Sequence, residues 1–117
     1  MLRNVVLICS ILFSALVVAA WAEDKFGVAV YPGAKFDAAT TKAVKEALST
    51  EIACYRTGDG VARVAEFYKK QPGLKFMAAD KESAAFQKGS GMVTIQNPWM
   101  DMKTGKLNRD TLISIGK

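Results

Sequence analysis

The residues with the widest chemical reach in this chain are soft ones. Beyond residue 22 it holds Met77, Met92, Met100 and Met102, and a single cysteine, Cys54. Thioethers are soft ligands suited to Cu(I). In an extended segment Met100 and Met102 point to the same side, next to Trp99, so these two are the candidate metal ligands. The competing reading is that the methionines fill an irregular core. Histidine is absent from all 117 residues. That removes Ser-His-Asp and Cys-His catalysis, imidazole general bases, His-ligated zinc and haem with a His ligand. With one cysteine in this stretch there is no Cys-x-x-Cys redox or zinc site.

Carboxylates remain. A paired acid/base site needs two of them facing one cleft. No spacing here brings two together. Asp59 reads as a helix cap, Glu66 as part of a solvated face, and Asp101 and Asp110 as turn residues. The run Asp101-Met102-Lys103-Thr104-Gly105-Lys106 is neither a calcium loop nor a phosphate loop. Lys103 stands where a calcium loop needs an oxygen ligand, and the spaced first glycine of a phosphate loop is missing. A hairpin turn accounts for it. The expectation is a protein that is not an enzyme and has no cofactor.

The whole chain carries a net charge of +5. Its lysines are scattered through Lys35, Lys42, Lys45, Lys69, Lys70, Lys75 and Lys88 rather than gathered in a stripe with interleaved aromatics. Nucleic acid is therefore not an expected partner. Cys54 sits in the apolar run Ile52-Ala53-Cys54-Tyr55, which favours a buried thiol acting as a small hydrophobe over a reactive one. Asn97-Pro98-Trp99 is the most unusual local feature. The proline stops a strand, and the tryptophan beside it is either a lid on the core or an interface anchor.

The elements that must position these residues follow from periodicity. Val28 to Tyr31 reads as a short strand stopped by Pro32-Gly33. Asp37 offers an N-cap for a helix over Ala38 to Leu48. Glu51 to Thr57 reads as a strand. Val61, Val64, Ala65 and Tyr68 form one apolar stripe at helical spacing over Gly60 to Gln71, capped by Asp59 and ended by Pro72-Gly73. Strand candidates follow at Leu74 to Met77, Ser83 to Gln87, Met92 to Gln96 and Thr111 to Ile115, the last two joined by a long hairpin turning at Lys103 to Lys106. Helices first and hairpins later argue an α+β domain. The expected fold is a mainly antiparallel sheet of four to five strands with two helices packed on one face.

The N-terminus reads as a targeting segment. Arg3, the apolar run from Val5 to Ala20 and the small-x-small Ala20-Trp21-Ala22 make residues 1–22 a cleavable secretory signal, leaving a single domain over 23–117. The alternative is an uncleaved anchor, since the run is close to the minimum for a span. Membrane association is expected only in that case. The expected location is periplasmic or secreted.

Several short motifs fit together. Tyr31-Pro32-Gly33-Ala34, Tyr55-Arg56-Thr57-Gly58-Asp59, Val64, Phe67-Tyr68-Lys69-Lys70, Asn97-Pro98-Trp99 and Asp110-Thr111-Leu112-Ile113 resemble an uncharacterised family of small exported bacterial proteins with a Tyr-Pro-Gly-Ala, Tyr-x-Thr-x-Asp, Phe-Tyr pattern. The resemblance implies an exported α+β domain and carries over no reaction. The expectation is a non-catalytic exported binding module or envelope accessory, taking a protein partner or a small ligand. Its candidate surface is Tyr31, Pro32, Trp99, Met100 and Met102. A soft-metal, Cu(I)-binding protein is the alternative.

Overall fold

Alternating apolar side chains along Ser83–Lys88 and Gly91–Gln96, and consecutive buried ones along Ile52–Thr57 and Thr111–Gly116, set this architecture. The computed structural model describes residues 24–117. The signal segment expected over residues 1–22 lies outside the described residues. In chain order the elements are β1 (Asp24–Lys25), β2 (Val28–Ala29), β3 (Lys35–Phe36), α1 (Ala38–Leu48), β4 (Ile52–Thr57), α2 (Val61–Lys69) and β5 (Lys75–Ala79). They continue with β6 (Ser83–Lys88), β7 (Gly91–Gln96), β8 (Trp99–Met100), β9 (Leu107–Asn108) and β10 (Thr111–Gly116). Six strands form one antiparallel sheet in the order β3-β4-β10-β7-β6-β5. The fold is α+β: two helices contact a six-stranded antiparallel sheet.

Two details differ from the sequence expectation. The sheet has six strands rather than four to five, because the two-residue β3 adds to its edge through Lys35↔Arg56 and Phe36↔Tyr55. Val28 to Tyr31 does not join it. Val28 and Ala29 pair only with β1.

The second difference concerns the helices, which take opposite faces rather than one. Tyr55, Ile113 and Ile95 lie opposite one another across β4, β10 and β7, and so share a face. Ala53, Val93, Ile115, Ala84 and Phe86 join them in one buried cluster with Val61, Val64, Ala65 and Tyr68 of α2. The alternate residues Cys54 and Leu112 point the other way, into a second small cluster with Trp99 and with Val44 of α1. Burying each large side chain in these clusters contributes on the order of 1.5–3 kcal/mol, which makes the first face the main source of stability.

The helices are held differently. Asp37 caps α1 as expected, its side chain accepting from the Thr40 N–H at 2.9 Å. Thr41 fastens the same end to the sheet, its hydroxyl accepting from the Cys54 N–H at 2.8 Å. Helix α2 is sealed along its whole apolar stripe, with Val61, Val64, Ala65 and Tyr68 buried. Its N-cap is Gly60, without a side-chain cap. Asp59 is thus not the cap. Its carboxylate accepts instead from the Tyr31 hydroxyl at 2.5 Å. A phenol from a distant segment competes successfully for that oxygen. The long hairpin turns where expected, closed by Asp101 N–H to Lys106 O at 2.9 Å and Gly105 N–H to Asp101 O at 2.8 Å. Gly105 has φ +75°, a conformation glycine adopts without strain.

Candidate functional site

Two hydrogen-bonded knots at one end of the sheet absorb nearly all the motif residues. On the first face, the Tyr31 hydroxyl donates to Asp59 and its ring packs edge-on against Phe67 at 5.4 Å. The Tyr68 hydroxyl accepts from the Tyr31 N–H at 3.1 Å and donates to the Ala29 carbonyl at 2.8 Å. Burial first, and then the bond to Asp59, push the Tyr31 phenol above its ordinary pKa. Burial pushes Tyr68 up further. Tyr31 is only 8% exposed. It is therefore not a surface residue, which corrects its place in the candidate surface. Pro32 beside it is exposed.

On the second face, Arg56 is held from both sides. Its Nε donates to Asp110 at 2.8 Å and its Nη1 to Asp37 at 3.3 Å. The guanidinium lies over the Trp99 ring, 5.0 Å from the centroid. The indole N–H of Trp99 donates to the other oxygen of Asp110 at 3.0 Å. Trp99 is 4% exposed, so it is a lid on the second cluster. Thr111 joins the two knots, accepting from the Asn97 amide at 3.0 Å and donating to the Asp59 carbonyl at 2.5 Å.

Asp37 and Asp110 both belong to this knot. Partial burial opposes their ionisation, but hydrogen bonds outweigh it and hold both carboxyls below the usual range. At Asp37 these come from Thr40 and Arg56, and at Asp110 from Arg56 and Trp99. A depressed folded pKa means stability that is fully present above the ordinary carboxylate pKa of about 4. It is lost as the pH falls through the folded values. Urea unfolding of the wild type should therefore weaken steadily between about pH 5 and pH 2, and Asp110→Asn should flatten that slope. An unchanged slope in the variant would remove Asp110 from the acid response.

Cys54 lies under this lid. It is fully buried, with its sulfur 3.6 Å from the Ser114 hydroxyl. Burial raises its thiol pKa, which suits a core residue and not a nucleophile.

A shallow opening of about 580 Å³ lies over the knot itself, beside Lys35, Phe36, Arg56 and Asp110, and a more apolar one lies elsewhere on the same face. Between α1, the sheet and the β8–β9 hairpin lies a cleft of about 490 Å³, lined mainly by apolar side chains. Val44 and Leu48 of α1 form one wall, and Ile52, Leu112 and Trp99 share the floor with the polar Thr94, Gln96 and Ser114. Met100 and Met102 stand at its rim, 60% and 58% exposed. The structure thus brings Trp99, Met100 and Met102 to one cleft, and separates them from Tyr31 and Pro32. Sequence reasoning missed Val44, Leu48 and Ile52. Leu48 is 57% exposed although it belongs to the apolar side of an amphipathic helix. Among the described residues no group of three or more His, Cys, Asp or Glu side chains could hold a metal ion. No helix among them is long and apolar enough to cross a membrane. No family model, curated protein or solved structure matches the chain.

Proposed function

We propose that the chain is a non-catalytic binding module of the bacterial envelope, exported by its N-terminal segment, and that it works through the cleft between α1 and the second face of the sheet. The observation that carries this reading is the unsealed helix. Residues Val44 and Leu48 turn an apolar side toward a gap, while α2 closes completely on the other face. Concave, mostly apolar sites with a few polar groups are the usual form of a ligand site. Flexible methionines at the rim suit a surface that must adapt to what it binds. The motif residues give the frame: the Tyr31 and Arg56 knots hold Trp99 and the hairpin in place, and take no part in chemistry themselves.

The test is capture from the envelope of the host, using a tag placed after Lys117. Wild type is compared with the Met100→Ser, Met102→Ser double variant. Both methionines are exposed, so the double variant keeps its fold. The expected result is a stoichiometric companion, protein or small molecule, retained by the wild type and lost from the variant. Equal recovery by both would sink the reading. Mass spectrometry of the captured protein reads whether it begins at Glu23, as the export reading expects.

A soft-metal role is the second reading, because both thioethers stand at one rim. Competition titration with Cu(I) tests it. Binding no tighter than that of the competitor, or equal binding by the double variant, would end it.

A further inference from the structure

One edge of the main sheet is open. Strand β5 pairs with β6 on its inner side, and among the described residues no strand lies along its outer side. All five of its residues are exposed. Phe76 and Met77 are 47% and 48% exposed although both are large and apolar. An edge strand presents a row of backbone N–H and C=O groups to any chain that lies beside it. Natural edges are guarded by short length, by a charge pointing inward, by proline or by a covering element. The opposite edge, β3, is guarded by its length of two residues. In β5 the one charge is Lys75, at the first position, and there is no proline.

The edge is complementary to itself. Its register with β6 slips by one residue between Phe76 and Ala78, which makes a bulge at Met77. A bulge commonly blunts an edge. This one also sorts the charges. Residues opposite one another across a sheet share a face, so Lys75 and Ala78 take the face of their partners Gln87 and Ala85. That is the second face, since Ala85 lies in one row with Thr94, Ser114 and Cys54. Asp80 falls on the same side as Ser83. Its N–H donates to the Ser83 carbonyl at 2.8 Å, and its Oδ1 accepts from the Ser83 hydroxyl at 3.3 Å. Phe76 and Ala79 take the first face with Phe86 and Ala84. In a regular strand Lys75 and Asp80, five positions apart, would point to opposite faces. The bulge puts a cation at one end of the edge and a carboxylate at the other on one face.

Two such edges laid antiparallel about a two-fold axis perpendicular to the sheet keep their faces. In the register that sets Lys75 against Asp80 of the second copy, Phe76 falls against Ala79 of that copy. A large side chain meets a small one, and the two Met77 bulges meet at the axis. Symmetry makes each contact twice. We propose that β5 is a self-association edge, through which two copies of this chain join antiparallel into one continuous sheet with Lys75 of each against Asp80 of the other. Both α1 helices, and both clefts, then lie on the same side of that sheet. The pairing stands apart from the cleft reading and holds whether or not the cleft takes a ligand.

The experiment is gel filtration with light scattering, on protein purified from cells expressing the whole chain with a tag after Lys117. A mass of two chains is expected, falling to one on dilution. Met77→Lys sets like charges together at the axis and should give a mass of one chain where the wild type gives two. Met77 is half exposed, so the thermal midpoint should not move. Met102→Lys, an equal charge change at a more exposed methionine on the hairpin, should remain paired. Lys75→Glu turns both ion pairs into repulsions and should weaken pairing about tenfold, the scale of two exposed pairs. Met77→Cys should link two chains through a short bismaleimide, whereas Met102→Cys should not, and the buried Cys54 of the wild type gives no link. A mass of one chain at every concentration up to the solubility limit overturns the proposal. So does pairing as tight as the wild type in Met77→Lys or in Lys75→Glu. Loss of pairing in Met102→Lys alone would place the contact at the hairpin and overturn it as well.

Discussion

Replacing Tyr68 with phenylalanine should cost about 2–4 kcal/mol, because it leaves a buried backbone N–H and a partly buried carbonyl without this partner. The hydroxyl is the sole difference between the two side chains. In the wild type it accepts from the Tyr31 N–H and donates to the Ala29 carbonyl, at 3.1 and 2.8 Å. Both groups belong to the segment that runs from β2 into the Tyr31 turn, outside the main sheet. The segment has little other backbone anchorage there, so the hydroxyl does for it what a ladder does for a strand. Tyr68→Ala should be worse, on the order of 5 kcal/mol, since a fully buried ring is lost as well. That approaches the entire stability of a small domain, and this variant is expected to be largely unfolded. Urea unfolding checks the first variant and far-UV circular dichroism the second. A loss below about 1 kcal/mol in Tyr68→Phe would mean that water replaces the hydroxyl.

The same tyrosines set an alkaline limit. Tyr31 and Tyr68 both have folded pKa values above the ordinary phenol value. A raised folded pKa gives stability that is complete below the unfolded value of about 10 and is lost as the pH rises beyond it. Tyr68→Phe should therefore be less sensitive to high pH than the wild type, relative to its own stability at neutrality.

How much of this was legible depends on the length scale. The stripe Val61, Val64, Ala65, Tyr68 shows a helix because four residues at one spacing leave few alternatives. The cores of β4, β6, β7 and β10 are equally readable, each being six residues long. The pieces β1, β2, β3, β8 and β9 have two residues each and cannot display a period. The placing of α1 and α2 on opposite faces was in the sequence as a weaker signal. Ile52-Ala53-Cys54-Tyr55 is apolar at consecutive positions, the mark of a strand covered on both sides. Which helix covers which side is a tertiary matter that alternation within a strand does not decide. The cleft shows the same division. Trp99, Met100 and Met102 stand out locally by type and spacing, while Val44, Leu48 and Ile52 become its walls only once α1 lies across the second face. Asp59 shows how a local rule loses to a distant partner, since Tyr31 takes the oxygen that a cap would use.

Trp99→Ala is expected to cost about 3–5 kcal/mol, the range for removing a buried aromatic ring from a packed cluster. The second face has a small core, Cys54, Trp99 and Leu112 with Val44 against them, so no neighbouring bulk can collapse into the space. Polar losses add to the cavity. Asp110 loses the indole donor and keeps Arg56 and a backbone N–H, while Arg56 loses the ring it lies over. Trp99→Phe separates the two contributions, because a ring remains for packing and for the guanidinium while the N–H is gone. Its cost should be about 1–2 kcal/mol, that of one hydrogen bond to a charged acceptor at a partly exposed site. If Trp99 were an exposed anchor for a partner, both variants would unfold at the urea concentration of the wild type. A combined Trp99→Phe, Asp110→Asn variant should fall short of the sum of the single losses, because both substitutions act on the same bond: Phe removes its donor and Asn takes the charge from its acceptor. Strict additivity would mean that Trp99 and Asp110 act independently. The ring would then rest on packing alone, and the Arg56 knot would no longer be what positions the hairpin beside the cleft.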